Sequence, residues 1–115
     1  MVEAYWNIGK SIVEQQDGYE KAEYGSRLIA ELSKQMTVDF GKGFTPTNLK
    51  YMRQFYLTFP NSHALRGELS WTHYRLLMRV ENKNARRFYI EEAIKSNWST
   101  RQLERQINSF FYERL

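Results

Sequence analysis

Cysteine is absent from the 115 residues, which removes disulfide frameworks, thiolate nucleophiles and zinc-thiolate sites together. Long apolar runs are missing too. They stop at three or four residues, far short of the roughly 20 that a membrane-spanning helix requires. The N-terminus lacks the charged-then-apolar layout of a signal peptide, so the expectation is a cytoplasmic protein with no membrane partner. Histidine occurs twice. His63 and His73 stand ten apart in a loop and near a helix start, without a carboxylate pair, and solvated or structural roles suit them better than a metal site. No stretch alternates with period two, no glycine-rich phosphate loop follows a strand, and no internal repeat or low-complexity segment is found.

What is present is basic charge, unevenly placed. Residues 1 to 40 hold four Lys/Arg against seven Asp/Glu, whereas residues 41 to 115 hold thirteen against six. Between 41 and 80 the count is six to one. A basic excess confined to part of a chain suits an anionic partner such as nucleic acid. The length fits one domain over residues 1–115.

Periodicity predicts helices almost throughout. Val2, Tyr5, Trp6, Gly9, Ile12 and Val13 recur at three and four residues, marking a first helix that should end near Asp17 and Gly18. Leu28, Ile29, Leu32, Met36 and Phe40 mark a second, stopped by Gly41 and Gly43. A third starts with Thr45 as N-cap and Pro46 in the first helical position, where a missing N–H is harmless. Its inner stripe is Leu49, Met52, Tyr56 and Phe59, and Pro60 closes it. Residues 60 to 69 read as a loop with room for a short hairpin. Ser70 or Thr72 caps a fourth helix with Trp71, Tyr74, Leu77 and Met78 inward. A fifth, from about Lys83 to Ser96, buries Phe88, Tyr89, Ala93 and Ile94. In the sixth, Ser99 and Gln102 match a capping box, with Leu103, Ile107, Phe110 and Phe111 on the apolar face. The expected fold is all-α, a compact bundle of about six helices holding one or two helix-turn-helix units, winged-helix-like.

Two segments fit such units. In residues 24 to 59, with GKGFT as the turn, an inward Leu49 and Met52 turn Thr47, Lys50, Tyr51 and Gln54 outward. Lysine reaches guanine or phosphate, glutamine pairs with an adenine edge, and a hydroxyl beside a helix N-terminus suits phosphate. Lys42, Thr45, Asn48 and Arg53 flank this face, where backbone contacts are expected. In residues 93 to 107, Asn97 sits where the turn asks for a left-handed residue, and Leu103 packs back on the preceding helix. Arg101, Gln102 and Arg105 are then exposed near the start of the second helix. Glu92 and Gln106 occupy places where a standard motif carries apolar residues.

The segments AEYGSRLIAELSKQMTVDFGKGFTPTNLKYMRQFY, LSWTHYRLLMRV, RRFYIEEAIKSNWSTRQLERQI and FFYERL closely resemble the N-terminal domain of the YhcG family of bacterial proteins. YWNIGKSIVEQQ fits that family's opening helix. Family members resemble predicted nucleases of the PD-(D/E)XK superfamily, with the catalytic module after this domain. The resemblance therefore implies a DNA-binding helical domain and an N-terminal fragment whose nuclease module is absent. A shorter likeness, of LSWTHYRLL through STRQLERQI to the helix-turn-helix region of ParB-type partition proteins, points the same way.

Such a nuclease holds Mg²⁺ between two acids and a lysine. The one acid-x-lysine triplet, Glu81-Asn82-Lys83, has no Pro-Asp or strand before it and reads as a helix start. Glu91 and Glu92 are adjacent on a helix and point apart. The expectation is therefore a non-catalytic segment with no cofactor, no metal and no small-molecule substrate. Its partner would be double-stranded DNA, gripped through residues 45 to 59 or 99 to 108, with Lys42, Arg75, Arg79, Arg86 and Arg87 on phosphates. The alternative is a dimerisation or protein-docking module using Tyr5, Trp6 and Gly9 of the first helix.

Overall fold

Local capping chemistry sets most of the helix boundaries. The computed structural model describes residues 2–16 and 22–115; within them lie six α-helices and one short 3-10 turn, and no strand. The expected end of the first helix at Asp17 and Gly18 falls outside the described residues. The chain divides into two compact units, Met1–Ala64 and Leu65–Leu115.

In the first unit, α1 (Val2–Gln16) packs on α3 (Pro46–Thr58) more extensively than on α2 (Ala22–Phe40). Trp6, Gly9 and Ile12 are the buried positions of α1. Gly9 makes the approach to α3 close: a Cβ there would collide with the Met52 carbonyl. The Trp6 indole N–H donates to the Phe59 carbonyl at 2.7 Å, fastening α1 to the end of α3. As expected, Thr45 caps α3, its hydroxyl accepting from the Asn48 N–H at 3.2 Å, with Pro46 in the first turn. Gly41 and Gly43 carry the α2–α3 turn at φ of +87° and +108°, a region glycine enters without steric penalty. The buried Ser33 hydroxyl donates to the Phe44 carbonyl at 2.7 Å and ties α2 to that turn.

Three sequence expectations are corrected here. Phe55, not Tyr56, is the fully buried aromatic of α3. Tyr56 stays half-buried and meets Trp6 edge-on at 5.3 Å. The apolar stripe of α2 runs past its partners, leaving Phe40 70% exposed. The hairpin that residues 60 to 69 had room for does not form; a 3-10 turn, Ser62–Ala64, lies there instead.

The second unit contains α4 (Trp71–Leu77), α5 (Lys83–Lys95) and α6 (Thr100–Asn108). Leu69, Tyr74, Leu76, Leu77, Val80, Ala85, Tyr89, Ala93 and Leu103 form its buried set. Leu76 was not anticipated, whereas Trp71, Met78, Phe88 and Ile94 are only half-buried. Ser70 is the N-cap of α4, and Asn82 that of α5, its side chain accepting from the Ala85 N–H at 2.9 Å. α5 and α6 end alike. After α5, the Trp98 N–H reaches the Ala93 carbonyl at 2.9 Å and the Asn97 N–H the Ile94 carbonyl at 3.2 Å. After α6, the Phe111 and Phe110 N–H groups reach Gln106 and Ile107 at 3.0 and 3.1 Å. These paired bonds are the Schellman closure, which asks for a left-handed residue. Asn97 at φ 53° supplies it as expected. Phe110 supplies the other at φ 57° and so turns out of the apolar face where the sequence pattern had put it, 62% exposed.

Candidate nucleic-acid interface

A face that grips a polyanion needs cations that the protein does not itself neutralise, held on an element with fixed orientation. The second unit carries ten Lys/Arg against six Asp/Glu, and the first seven against seven. The whole formal excess of +4 therefore falls in Leu65–Leu115.

Orientation comes from α6. Ser99 and Gln102 form the expected capping box: the Ser99 hydroxyl accepts from the Gln102 N–H at 3.1 Å, and the Gln102 side chain accepts from the Ser99 N–H at 2.8 Å. Leu103 is fully buried, so helical spacing sends Arg101 and Arg105 outward, one turn apart and both exposed. Neither has a partner among the described residues. Gln102 lies with them, its carbonyl committed to the cap. On the neighbouring edge of α6, Glu104 and Asn108 take the Arg79 guanidinium at 3.4 and 3.0 Å. That contact joins α6 to the turn after α4. The α5–α6 turn is pinned as well, because the His73 imidazole reaches the Trp98 carbonyl at 2.9 Å while its other nitrogen accepts from the Ser70 N–H at 3.1 Å. The structural role expected for His73 is the one found.

The other basic candidates separate by environment. The Arg86 guanidinium is turned to the Val80 and Glu81 carbonyls at 3.1 and 3.3 Å, and burial lowers its pKa. It closes the chain after α4. Arg66 bridges Glu68 at 3.4 Å and Glu91 at 2.8 Å. Arg75 is half-buried, and Arg87 is exposed. Lys83, Lys95 and Arg114 are also exposed. All three belong to the basic excess of residues 41 to 115.

In the first unit, Thr47, Lys50, Tyr51 and Gln54 do face outward on α3, and Lys42 is exposed in the turn. Several polar groups there already have local partners. The Asn48 side-chain amide donates to the Gly43 carbonyl at 3.0 Å, Gln54 donates to the Thr58 hydroxyl at 3.3 Å, and the Thr45 hydroxyl is spent on the cap. Arg53 is half-buried. The contact surface expected from α1 is corrected: Trp6 and Gly9 are buried against α3, which leaves Tyr5 half-buried beside them.

Two phenols close the second unit from within. Tyr74 accepts from the Arg66 N–H at 2.6 Å, and Tyr89 donates to the Glu113 carboxylate at 2.8 Å while accepting from the Tyr112 N–H at 3.0 Å. Burial pushes both phenols above their ordinary pKa. Among the described residues no cluster of His, Asp or Glu could hold a metal ion, and no helix is long and apolar enough to cross a membrane.

Among the described residues the architecture is that of an all-helical protein, six α-helices without a strand. The chain belongs to the family described as the DUF1016 N-terminal domain, whose model matches residues 1–114. It is 37% identical over 148 residues to the protein named Putative nuclease YhcG from Escherichia coli (strain K12). That match covers 99% of this chain and 39% of the relative, so the chain spans well under half of the relative's length. No solved structure matches it.

Proposed function

We propose that this domain binds duplex DNA and delivers a linked nuclease to it, with α6 as the helix that enters the groove. The observation that carries the reading is the pair Arg101 and Arg105: exposed, one turn apart, unpartnered among the described residues, and set on a helix capped at its start and anchored by Leu103. Arginine forks suit guanine edges and phosphates alike. Kinship to a protein named as a nuclease supports a role beside nucleic acid. In this reading the domain supplies binding, and phosphodiester chemistry belongs to a PD-(D/E)XK module of the longer protein. Lys83, Arg87 and Lys95 serve as further phosphate contacts, while Arg79 acts by holding α6 through Glu104 and Asn108. The outer face of α3 is the lesser candidate, since Asn48 and Gln54 already bond within their own unit.

A salt titration of binding to a random duplex tests this. Log affinity falls linearly with log salt, by about 0.9 for each phosphate contact. Replacing Arg101 and Arg105 together by alanine lowers affinity and flattens that slope by one to two contacts. Lys50→Ala with Gln54→Ala changes either quantity much less. The reverse ranking moves the reading helix to α3, and a slope near zero for the parent chain removes DNA binding altogether.

A further inference from the structure

The outer side of α6 offers hydrogen-bond donors and acceptors unequally. Along its first two turns the exposed residues are Arg101, Gln102, Glu104 and Arg105. Only Gln102 and Glu104 carry acceptors, and both are engaged inside the protein. The Gln102 side-chain carbonyl takes the Ser99 N–H at 2.8 Å, and the Glu104 carboxylate is turned to the Arg79 guanidinium at 3.4 Å. One turn further, the Asn108 side-chain carbonyl accepts from the same guanidinium at 3.0 Å. A glutamine whose oxygen is held has only its amide N–H groups left to offer. What α6 presents is therefore a set of donors: the guanidinium forks of Arg101 and Arg105, with the Gln102 amide between them in sequence.

Such a surface discriminates among bases. In the major groove guanine shows two acceptors, N7 and O6, whereas adenine shows an acceptor beside an amino donor, cytosine an amino donor, and thymine one acceptor beside a methyl group. The amino group of adenine or cytosine meets these side chains donor to donor, and both groups are then desolvated without a partner. The familiar bidentate pairing of glutamine with adenine needs the glutamine carbonyl as well as its amide. The cap withholds that carbonyl. Guanine alone matches a planar fork of donors with a pair of acceptors.

We infer, resting on the reading of α6 as the groove-entering helix, that this helix selects guanine: Arg101 and Arg105 fork guanine N7 and O6, and Gln102, fixed as a donor by the capping box, rejects adenine. The capping box thus sets specificity as well as the helix start. The same residues that end the search for an intrahelical partner at Ser99 decide which base edge the next turn accepts.

Binding of the whole chain to short duplexes of equal length tests the inference: one of G·C pairs, one of A·T pairs, and two versions of the first with every guanine replaced by inosine or by 7-deazaguanine. Inosine keeps N7 and O6 and lacks only the minor-groove amino group, whereas 7-deazaguanine lacks N7. The G·C and inosine duplexes are expected to bind alike, and about tenfold or more tighter than the A·T and 7-deazaguanine duplexes. Gln102→Glu keeps the capping box, which glutamate also forms, and exchanges the amide donor for a carboxylate oxygen. Helix content by circular dichroism then stays at the parent level while the ratio of G·C to A·T affinity falls severalfold. Arg101→Lys with Arg105→Lys keeps both charges and removes the forks, and lowers the same ratio. Equal binding of the G·C and A·T duplexes, or of the guanine and 7-deazaguanine duplexes, overturns the preference and leaves α6 as a DNA contact. Loss of binding on inosine substitution also overturns it, by moving the contact to the minor groove, as does a ratio that survives Gln102→Glu. A chain that binds none of the duplexes removes the function proposed above and the preference with it.

Discussion

Single residues here carry structural demands that a substitution exposes directly. Gly9 admits α1 to contact with the Met52 backbone, and no flexible side chain stands there to give way. Gly9→Ala is expected to lower stability by about 3 kcal/mol, the upper end of the overpacking range, read as a shift in the urea midpoint. Phe110 gives the opposite sign. It holds a left-handed backbone at φ 57° with most of its surface in water. Glycine relieves that conformation at little loss of packing, so Phe110→Gly is expected to raise stability by about 1 kcal/mol. Asn97→Gly should gain less, because asparagine tolerates the same region. Tyr74 and Tyr89 set an alkaline limit. Burial raises both phenols above 10.0 in the folded chain, so their contribution is complete below pH 10 and is lost as pH rises through the folded values. Circular dichroism melts taken upward from pH 9 should fall in midpoint, and Tyr89→Phe should flatten that fall.

At the scale of the element, α6 concentrates the functional question because one short helix combines a cap, an anchor and two free cations. Removing the cap tests whether its orientation matters. Ser99→Ala is expected to lower stability by about 1 kcal/mol and, because Arg101 lies in the first turn, to weaken DNA binding as well. Helix starts of this kind were legible in the sequence, since a cap depends on three or four consecutive residues: Thr45 with Pro46, and Ser99 with Gln102. The left-handed Asn97 was legible for the same reason, as was the outward direction of Arg101 and Arg105 once Leu103 was placed inside. Features that depend on a distant partner were not. Choosing Phe55 over Tyr56 depends on how α1 lies across α3. Phe40 emerges because α2 outruns the elements that cover its earlier turns. The Arg79 guanidinium is met by Glu104 and Asn108, more than 20 residues along the chain and outside any local pattern.

Charge acts on the scale of the whole molecule, and its division between the two units separates location from amount. The net +4 of the chain is the net charge of Leu65–Leu115, since acids and bases balance in Met1–Ala64. Two substitutions that alter the total by the same single charge can therefore be compared. Glu104→Gln removes the acid that faces Arg79 across an exposed 3.4 Å ion pair, so it releases a cation beside Arg101 and Arg105 at a stability loss of no more than about 1 kcal/mol. Glu31→Gln removes an exposed acid from α2 in the other unit. If polyanion binding followed net charge alone, the two would strengthen it equally. Screening over roughly 8 Å at physiological salt makes it local instead. Glu104→Gln is expected to tighten duplex binding severalfold and to steepen the salt slope by up to about 0.9, one additional phosphate contact, while Glu31→Gln leaves the slope at the parent value. Equal slopes for the two variants would mean that α6 holds no privileged position in the encounter with DNA.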